Sequence, residues 1–171
     1  MARRLQHEDV LLTLGEIAVT LAALSGVAGV LAARSGQTHL SAFKVLLLRN
    51  VALIGMVAAA FAILPLSFRG SAISNPSAFR LCSALAMCSW LGGETLFFRR
   101  GLVALRSREI SATEFWLGFA LNATAVTLFA WNTFLPDSTS ANRYVLALMC
   151  ALAIAGINFI VAVLRPNPPD A

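Results

Sequence analysis

The sequence has little charge: only 12% of its 171 residues are Asp, Glu, Lys or Arg, about half the ~25% of an ordinary soluble domain. Apolar residues make up 58% instead. So few charges cannot cover the exterior of a water-soluble particle of 18.2 kDa, which needs charge to stay dispersed. The composition therefore excludes a soluble enzyme, a disordered tail and a nucleic-acid module, and it predicts an integral membrane protein.

Groups that carry chemistry are also scarce. The chain has two histidines, His7 and His39, which we predict on opposite sides of the membrane, where they cannot share a metal ion or a haem. The three cysteines fall inside apolar runs without a C-x-x-C pair, which argues against a disulfide framework or thiol exchange. No predicted span contains Asp or His, and no glycine-rich phosphate loop occurs. We therefore expect no enzyme activity, no catalytic residue, no cofactor and no metal site.

Five apolar runs are long enough to cross a bilayer core ~30 Å thick, which takes about 20 helical residues. They lie at about 10–33, 43–68, 76–98, 114–135 and 144–164. The runs lack the alternation of a β-barrel strand, so we predict an all-α bundle of five transmembrane helices. Residues 1–171 are expected to form this single domain.

Three local signals mark helix ends. Pro65 is expected to kink or end the second helix, because proline has no N–H to donate. Asn75 followed by Pro76 predicts the start of the third helix. Ser111 with Glu114 has the spacing of a capping box and predicts the start of the fourth.

Orientation is predicted from the distribution of lysine and arginine. Five basic residues fall on the side of the N-terminus and eight on the opposite side. The positive-inside rule then places the N-terminus outside and the C-terminus in the cytoplasm. Because arginine far outnumbers lysine, with 12 Arg and one Lys, the composition favours a bacterial protein of the inner membrane.

Glu16 is the one charged residue in the first run, about 9 Å from its outer end at 1.5 Å per residue. No basic residue is predicted at that depth, so the carboxylate needs water, a proton, or a hydrogen-bonding partner such as Asn132 or Thr133. At 100° per residue, Glu16 lies on the same side of the first helix as two threonines and a valine. This Glu16 seam consists of Thr13, Glu16, Thr20 and Val27. Either an ion pathway or a structural glutamate fits the pattern.

A second group of polar residues is predicted at the cytoplasmic end. Arg49 and Glu94 both lie about 6 Å below that end on the second and third helices, so a salt bridge between them would lower the cost of burying either charge. Asn50, Asn122 and Asn158 complete this inner polar cluster. The alternative is that the pair only joins two helices and the amides bond between helices.

A stripe of small residues runs along another face of the first helix. It includes Ala18, Ala22, Ser25, Gly26 and Gly29 at a spacing of four or nearly four residues. Small residues at this spacing allow close approach of helix backbones in lipid. The stripe predicts helix packing, within one protomer or between protomers.

The tetrapeptide E-I-A-V at 16–19, followed by a small residue and then by Ser25-Gly26, resembles the first helix of a group of small bacterial multi-spanning membrane proteins. The resemblance implies a bacterial membrane protein with several spans. It implies no activity, because no function is assigned to that group.

The sequence leads to one preferred function and two alternatives. We expect a homo-oligomer in the lipid bilayer that provides an ion or proton pathway, with the Glu16 seam facing water, Val27 at an apolar constriction and the Arg49–Glu94 pair as an inner gate. The first alternative is a non-conducting accessory or scaffold subunit that assembles with another membrane subunit. A carrier is the second, although inverted repeats are not visible.

Overall fold

The computed structural model describes residues 7–34, 42–68, 73–106 and 110–164, and within these ranges it describes no side chains at 32–34, 42–43, 93–97 and 100. This part of the chain forms five α-helices, one 3-10 helix and no strand. The helices are α1 (Glu8–Arg34), α2 (Ala42–Ile63), α3 (Asn75–Arg106), α4 (Ala112–Phe134) and α5 (Ser140–Leu164), with the 3-10 helix (Leu64–Phe68) directly after α2. The predicted all-α fold is confirmed.

Two of the predicted helix boundaries are confirmed by their geometry. At Pro65 the α-helix gives way to the 3-10 helix, since the proline ring cannot continue the α-helical hydrogen bonds. The capping box forms at α4: the hydroxyl of Ser111 accepts from the N–H of Glu114 over 3.1 Å, and the N–H of Ser111 donates to Oε2 of Glu114 over 2.7 Å.

The third helix is longer than predicted. It was expected to end near 98, but α3 continues to Arg106. The run of charge that begins at Arg99 ends the apolar stretch without breaking the helix, because arginine is a good helix former. Gly101 lies in this extension, close to the ring of Phe115, so the extension packs on the start of α4.

Three helical stretches of the described chain are long and apolar enough to cross a membrane. They are Glu8–Leu31, Lys44–Phe68 and Ser140–Leu164. Helices α3 and α4 are also long, with 32 and 23 residues, but they carry more polar residues. The protein is thus an all-α bundle compatible with a membrane location.

Helix α5 lies at the centre of the bundle and contacts the other four α-helices. Helix α1 packs mainly on α2, and α3 packs mainly on α4. The sequence predicted α2 and α3 as neighbours, but these two helices barely touch along their lengths. Because α5 lies beside α2 and α4 lies beside α3, a space is left between α2 and α3.

The main hydrophobic core occupies one end of the bundle. Tyr144 is its centre, with the rings of Phe79 and Phe129 at centroid distances of 5.4 and 5.6 Å. The start of α1, the end of α2 and the end of α4 meet there, and we call this the Tyr144 end. At the opposite end, called the Asn122 end, the described residues form a smaller hydrophobic cluster around Leu47, Leu48 and Ala162.

Candidate functional site

The Glu16 seam lies on the outside of the protomer. Thr13, Glu16, Thr20 and Val27 are all exposed, and Val27 keeps 55% of its surface accessible. The hydroxyls of Thr13 and Thr20 donate to the carbonyl oxygens of Asp9 and Glu16, four residues earlier, over 2.9 and 2.8 Å. The seam is therefore a continuous outward-facing row on α1.

Asn132 does not serve as the partner of Glu16, which corrects one of the sequence-based alternatives. Its amide is fully buried at the Tyr144 end, where Nδ2 donates to the carbonyl oxygen of Ser140 over 2.8 Å. Its Oδ1 accepts from Nε of Arg143 over 2.8 Å. Thr133, the other candidate, donates its hydroxyl to the carbonyl oxygen of Phe129 in its own helix.

Arg143 connects this buried amide to the loop between α4 and α5. Its Nη2 forms an ion pair with Oδ1 of Asp137 over 2.7 Å, and its guanidinium lies 5.3 Å from the ring centroid of Trp131. The hydroxyl and N–H of Thr139 donate to the same Asp137 oxygen, and these bonds, with Arg143, hold the pKa of that carboxyl below its usual value. These bonds join α4, α5 and the loop between them at the Tyr144 end of the bundle.

Two further hydrogen bonds tie α1 and α2 to the same end. Nε2 of His7 and Oδ1 of Asn142 form one of them, at the start of α1 and α5. The hydroxyl of Tyr144 donates to the carbonyl oxygen of Phe61 over 2.7 Å, beside the 3-10 helix. The Tyr144 end is thus held by polar bonds as well as by the core.

The small residues of α1 divide between two environments. Ala18 and Ala22 face Gly55 of α2, where a Cβ atom would lie only 2.6 Å from the Ala18 carbonyl oxygen. Ser25 is 2% exposed and donates to the carbonyl oxygen of Ala22 over 2.7 Å. Gly26 is exposed and Gly29 half-buried, and neither has an atom within 4 Å of where a Cβ would stand. The first three residues pack within the protomer, and the two glycines face open space.

A cavity of about 230 Å³ occupies the space between α2 and α3 at the Asn122 end. Residues of α2, α3, α4 and α5 line it, and most of them are apolar or aromatic. Three asparagines of the predicted inner polar cluster lie on its wall: Asn50, Asn122 and Asn158. The structure therefore brings together side chains that are 108 positions apart at the extremes, 50 and 158.

Trp90 fixes one of these amides. Its indole N–H donates to Oδ1 of Asn122 over 2.7 Å, which joins α3 to α4 on the cavity wall. With the oxygen occupied, the NH₂ group of Asn122 is the part of the amide left to donate. Asn122 itself is one of the residues that line the cavity, and among the described residues no buried side-chain nitrogen or oxygen lacks a partner.

The charged pair of the inner polar cluster is placed only in part. Arg49 is exposed on α2 and is not one of the residues that line the cavity. The side chain of Glu94 lies outside the described residues. The salt bridge between Arg49 and Glu94 therefore stays a prediction.

Sequence reasoning missed two features of these sites. No role is assigned to Trp90 or Arg143 from the sequence, whereas both bind an asparagine of α4. A signal for the second was available: Asn132 and Arg143 flank a short loop, so antiparallel helices bring them close. No local pattern indicates the bond between Trp90 and Asn122, which depends on how α3 and α4 rotate against each other.

The described residues hold no cluster of three or more His, Cys, Asp or Glu that could bind a metal ion. Comparison with protein-family models, with curated proteins and with solved structures found no match for the chain. The described part of the chain is an all-α bundle with three helices long and apolar enough to cross a membrane, the Glu16 seam on its outside and a mostly apolar cavity with three asparagines on its wall.

Proposed function

We propose that the protein is a small oligomeric membrane protein of the bacterial inner membrane, in which the Glu16 seams of several protomers line an ion or proton pathway. The observation that carries this proposal is the exposure of Glu16 on the outer face of α1. The carboxylate lies eight residues from one end of the 24-residue stretch Glu8–Leu31, where lipid would surround it.

A lone charge at the centre of a membrane helix costs about 2.5–3.5 kcal/mol on insertion scales. Apart from Thr13 and Thr20, whose hydroxyls donate within α1, the exposed neighbours of Glu16 include the apolar Leu12, 44% exposed, and Ile17, 45% exposed. A second copy of α1, with water between the two, removes this cost. Assembly around the seam therefore accounts for a carboxylate that the protomer itself does not cover.

Rings of carboxylates favour cations, and apolar constrictions gate by losing water. In an assembly about an axis along α1, Glu16 of each protomer selects or transfers the cation and Thr13 and Thr20 line the path beside it. At 100° per residue, Val27 lies about 20° from Glu16 around the helix. Its apolar side chain therefore faces the same path and forms the constriction.

We further propose that the chain crosses the membrane five times, with the N-terminus outside and the C-terminus in the cytoplasm. In α4 the polar Asn132 is buried and Asn122 faces the cavity, so its exposed surface is less polar than its composition. Trp116, Leu117 and Phe134 are exposed on α4, as in a helix that contacts lipid.

Labelling of Ser138→Cys by an impermeant maleimide, in a background without the native cysteines, tests the orientation. Reaction from outside the cell is expected, and reaction only after lysis contradicts the proposed orientation.

Flux measured in liposomes tests the pathway. Wild type is expected to carry protons or K⁺, Glu16→Asp to retain the flux, and Glu16→Gln to lose most of it. Val27→Ser is expected to raise the flux because it hydrates the constriction. Leu24→Ser is the matched control, since Leu24 is 46% exposed but lies about 80° from Glu16 around the helix. Equal flux in wild type and Glu16→Gln, or no flux in either, contradicts the proposal.

One observation favours the alternative of a non-conducting accessory or scaffold subunit. The hydroxyls of Thr13 and Thr20 already donate within α1, which is how a hydroxyl is satisfied on a surface in contact with lipid or protein. In that case Glu16 binds a polar group of a different membrane subunit. Crosslinking from Thr20→Cys distinguishes the two: homodimers with flux support the pathway, and crosslinks only to another polypeptide support the accessory role.

A further inference from the structure

We propose that the cavity at the Asn122 end is a binding site for an uncharged amphipathic molecule that places about nine non-hydrogen atoms in it. Its polar end carries a carbonyl or hydroxyl oxygen that accepts hydrogen bonds from the asparagine amides. Nothing in the ion-pathway proposal uses this cavity, because α1 contributes no residue to its lining.

Size sets the first limit on the ligand. The cavity measures about 230 Å³. An apolar cavity of about 150 Å³ binds benzene, which has six non-hydrogen atoms, so about nine non-hydrogen atoms fill a cavity of this size and a longer chain extends through its open side. The site thus takes a medium alkyl chain or one substituted ring, and it is too small for a whole phospholipid.

The polar groups on the wall set the second limit. Oδ1 of Asn122 accepts from the indole of Trp90, so the NH₂ group, with two donors, is the part of this amide that has most to offer a ligand. Asn50 and Asn158 add two more amides on the facing helices α2 and α5. A ligand oxygen that accepts from these NH₂ groups satisfies them better than an aliphatic group, which would leave them without a bond in an apolar setting.

The third limit is charge. Glu114 is the acidic residue among those that line the cavity, and its carboxylate already accepts from the N–H of Ser111 in the capping box. A charged ligand group would have to leave water for a wall that is mostly apolar, where an unpaired charge costs far more than a hydrogen-bonded neutral group. The site therefore suits a neutral head group.

The entrance indicates where the ligand comes from. Leu53 of α2 and Phe98 of α3 line the cavity and keep 52% and 40% of their surfaces exposed, on the two helices that barely touch. The cavity thus opens sideways between α2 and α3. This step rests on the proposed membrane placement, in which the opening faces the bilayer and admits a molecule dissolved in lipid.

Trp90 lines the cavity and provides the readout. In full-length protein with Trp116→Phe and Trp131→Phe, Trp90 is the only tryptophan, and a brominated ligand quenches its fluorescence on contact. The probes are 10-bromodecan-1-ol, 1-bromodecane, 10-bromodecanoate and (10-bromodecyl)trimethylammonium, each titrated in detergent. We expect saturable quenching, strongest for the alcohol, that unbrominated decan-1-ol reverses.

Two pairs of variants separate binding from partitioning into the micelle. Gly118→Leu fills the cavity and is expected to weaken alcohol binding at least tenfold, while Gly156→Leu, equally open at its Cβ but outside the cavity, leaves it unchanged. Asn158→Leu is expected to weaken the alcohol about fivefold and to leave 1-bromodecane unchanged, as loss of one neutral hydrogen bond predicts. Asn142→Leu, at the opposite end, is the control for the loss of an amide.

Several results would overturn the proposal. Quenching that never saturates and is equal in Gly118→Leu means partitioning alone. Equal affinity for the alcohol and 1-bromodecane removes the role of the amides, and tighter binding of the ammonium or the carboxylate removes the neutral class. Because binding is measured in detergent and flux in liposomes, failure of this site and failure of the ion pathway are separate results.

Discussion

Nε of Arg143, a residue of α5, donates a hydrogen bond over 2.8 Å to Oδ1 of the fully buried Asn132 of α4. The same asparagine donates to the Ser140 carbonyl oxygen, so one amide joins the two helices on either side of their connecting loop. A buried polar group is costly when it is unsatisfied. The stability of the Tyr144 end therefore depends on this amide.

Asn132→Leu is expected to lower the free energy of unfolding by about 2–4 kcal/mol, because it leaves Arg143 and the Ser140 carbonyl without their buried partner. Thermal unfolding of the protein in detergent, followed by circular dichroism, measures the change. Asn142→Leu is the control, since Asn142 is exposed and its bond to His7 is at the surface. A similar loss in both variants would mean that burial of Asn132 is not the cause.

The ion pair of Asp137 with Arg143 predicts a pH dependence. The pKa of the Asp137 carboxyl is lowered in the folded protein, by the bonds from Thr139 first and by Arg143 next. A group with a lowered folded pKa stabilises the fold above its unfolded pKa, here about 4, and this stability is lost as the pH falls further. Asp137→Asn should remove that part of the acid sensitivity below about pH 4. An unchanged acid transition in this variant would exclude the contribution.

Gly55 predicts a steric effect between α1 and α2. A methyl group there would stand 2.6 Å from the carbonyl oxygen of Ala18 and 3.0 Å from the Cβ of Ala22, so Gly55→Ala forces the two backbones apart. We expect a loss of about 1–3 kcal/mol in the free energy of unfolding. Gly156→Ala has open space at the same position and should be neutral or gain up to about 1 kcal/mol from helix propensity. Equal effects of the two substitutions would contradict close packing at Gly55.

The predicted pair of Arg49 and Glu94 is tested by a double-mutant cycle. If the two charges interact, Arg49→Ala and Glu94→Ala each lower the free energy of unfolding, and the double variant loses less than the sum, by about 0.5–3 kcal/mol. Denaturant titration in detergent gives the three values. Additive losses would show that the two charges do not interact.

The amino-acid sequence alone determined the helices of this protein and several of their ends. Low charge, long apolar runs, Pro65 and the Ser111–Glu114 capping box act over a few residues, so the predicted elements agree with α1, α2, α4 and α5 to within a few residues. The end of α3 was missed because charge ends an apolar run but not a helix.

The environment of each polar side chain was decided only by the tertiary structure. Asn122, Asn132 and Glu16 are all polar residues in apolar runs, yet one lines a cavity, one is buried in a network and one faces outward. Their environments differ because the surroundings of each side chain depend on how its helix is rotated and on which helix packs beside it. Those choices are made by contacts between residues far apart in the chain, such as Gly55 against Ala18, which no local pattern contains.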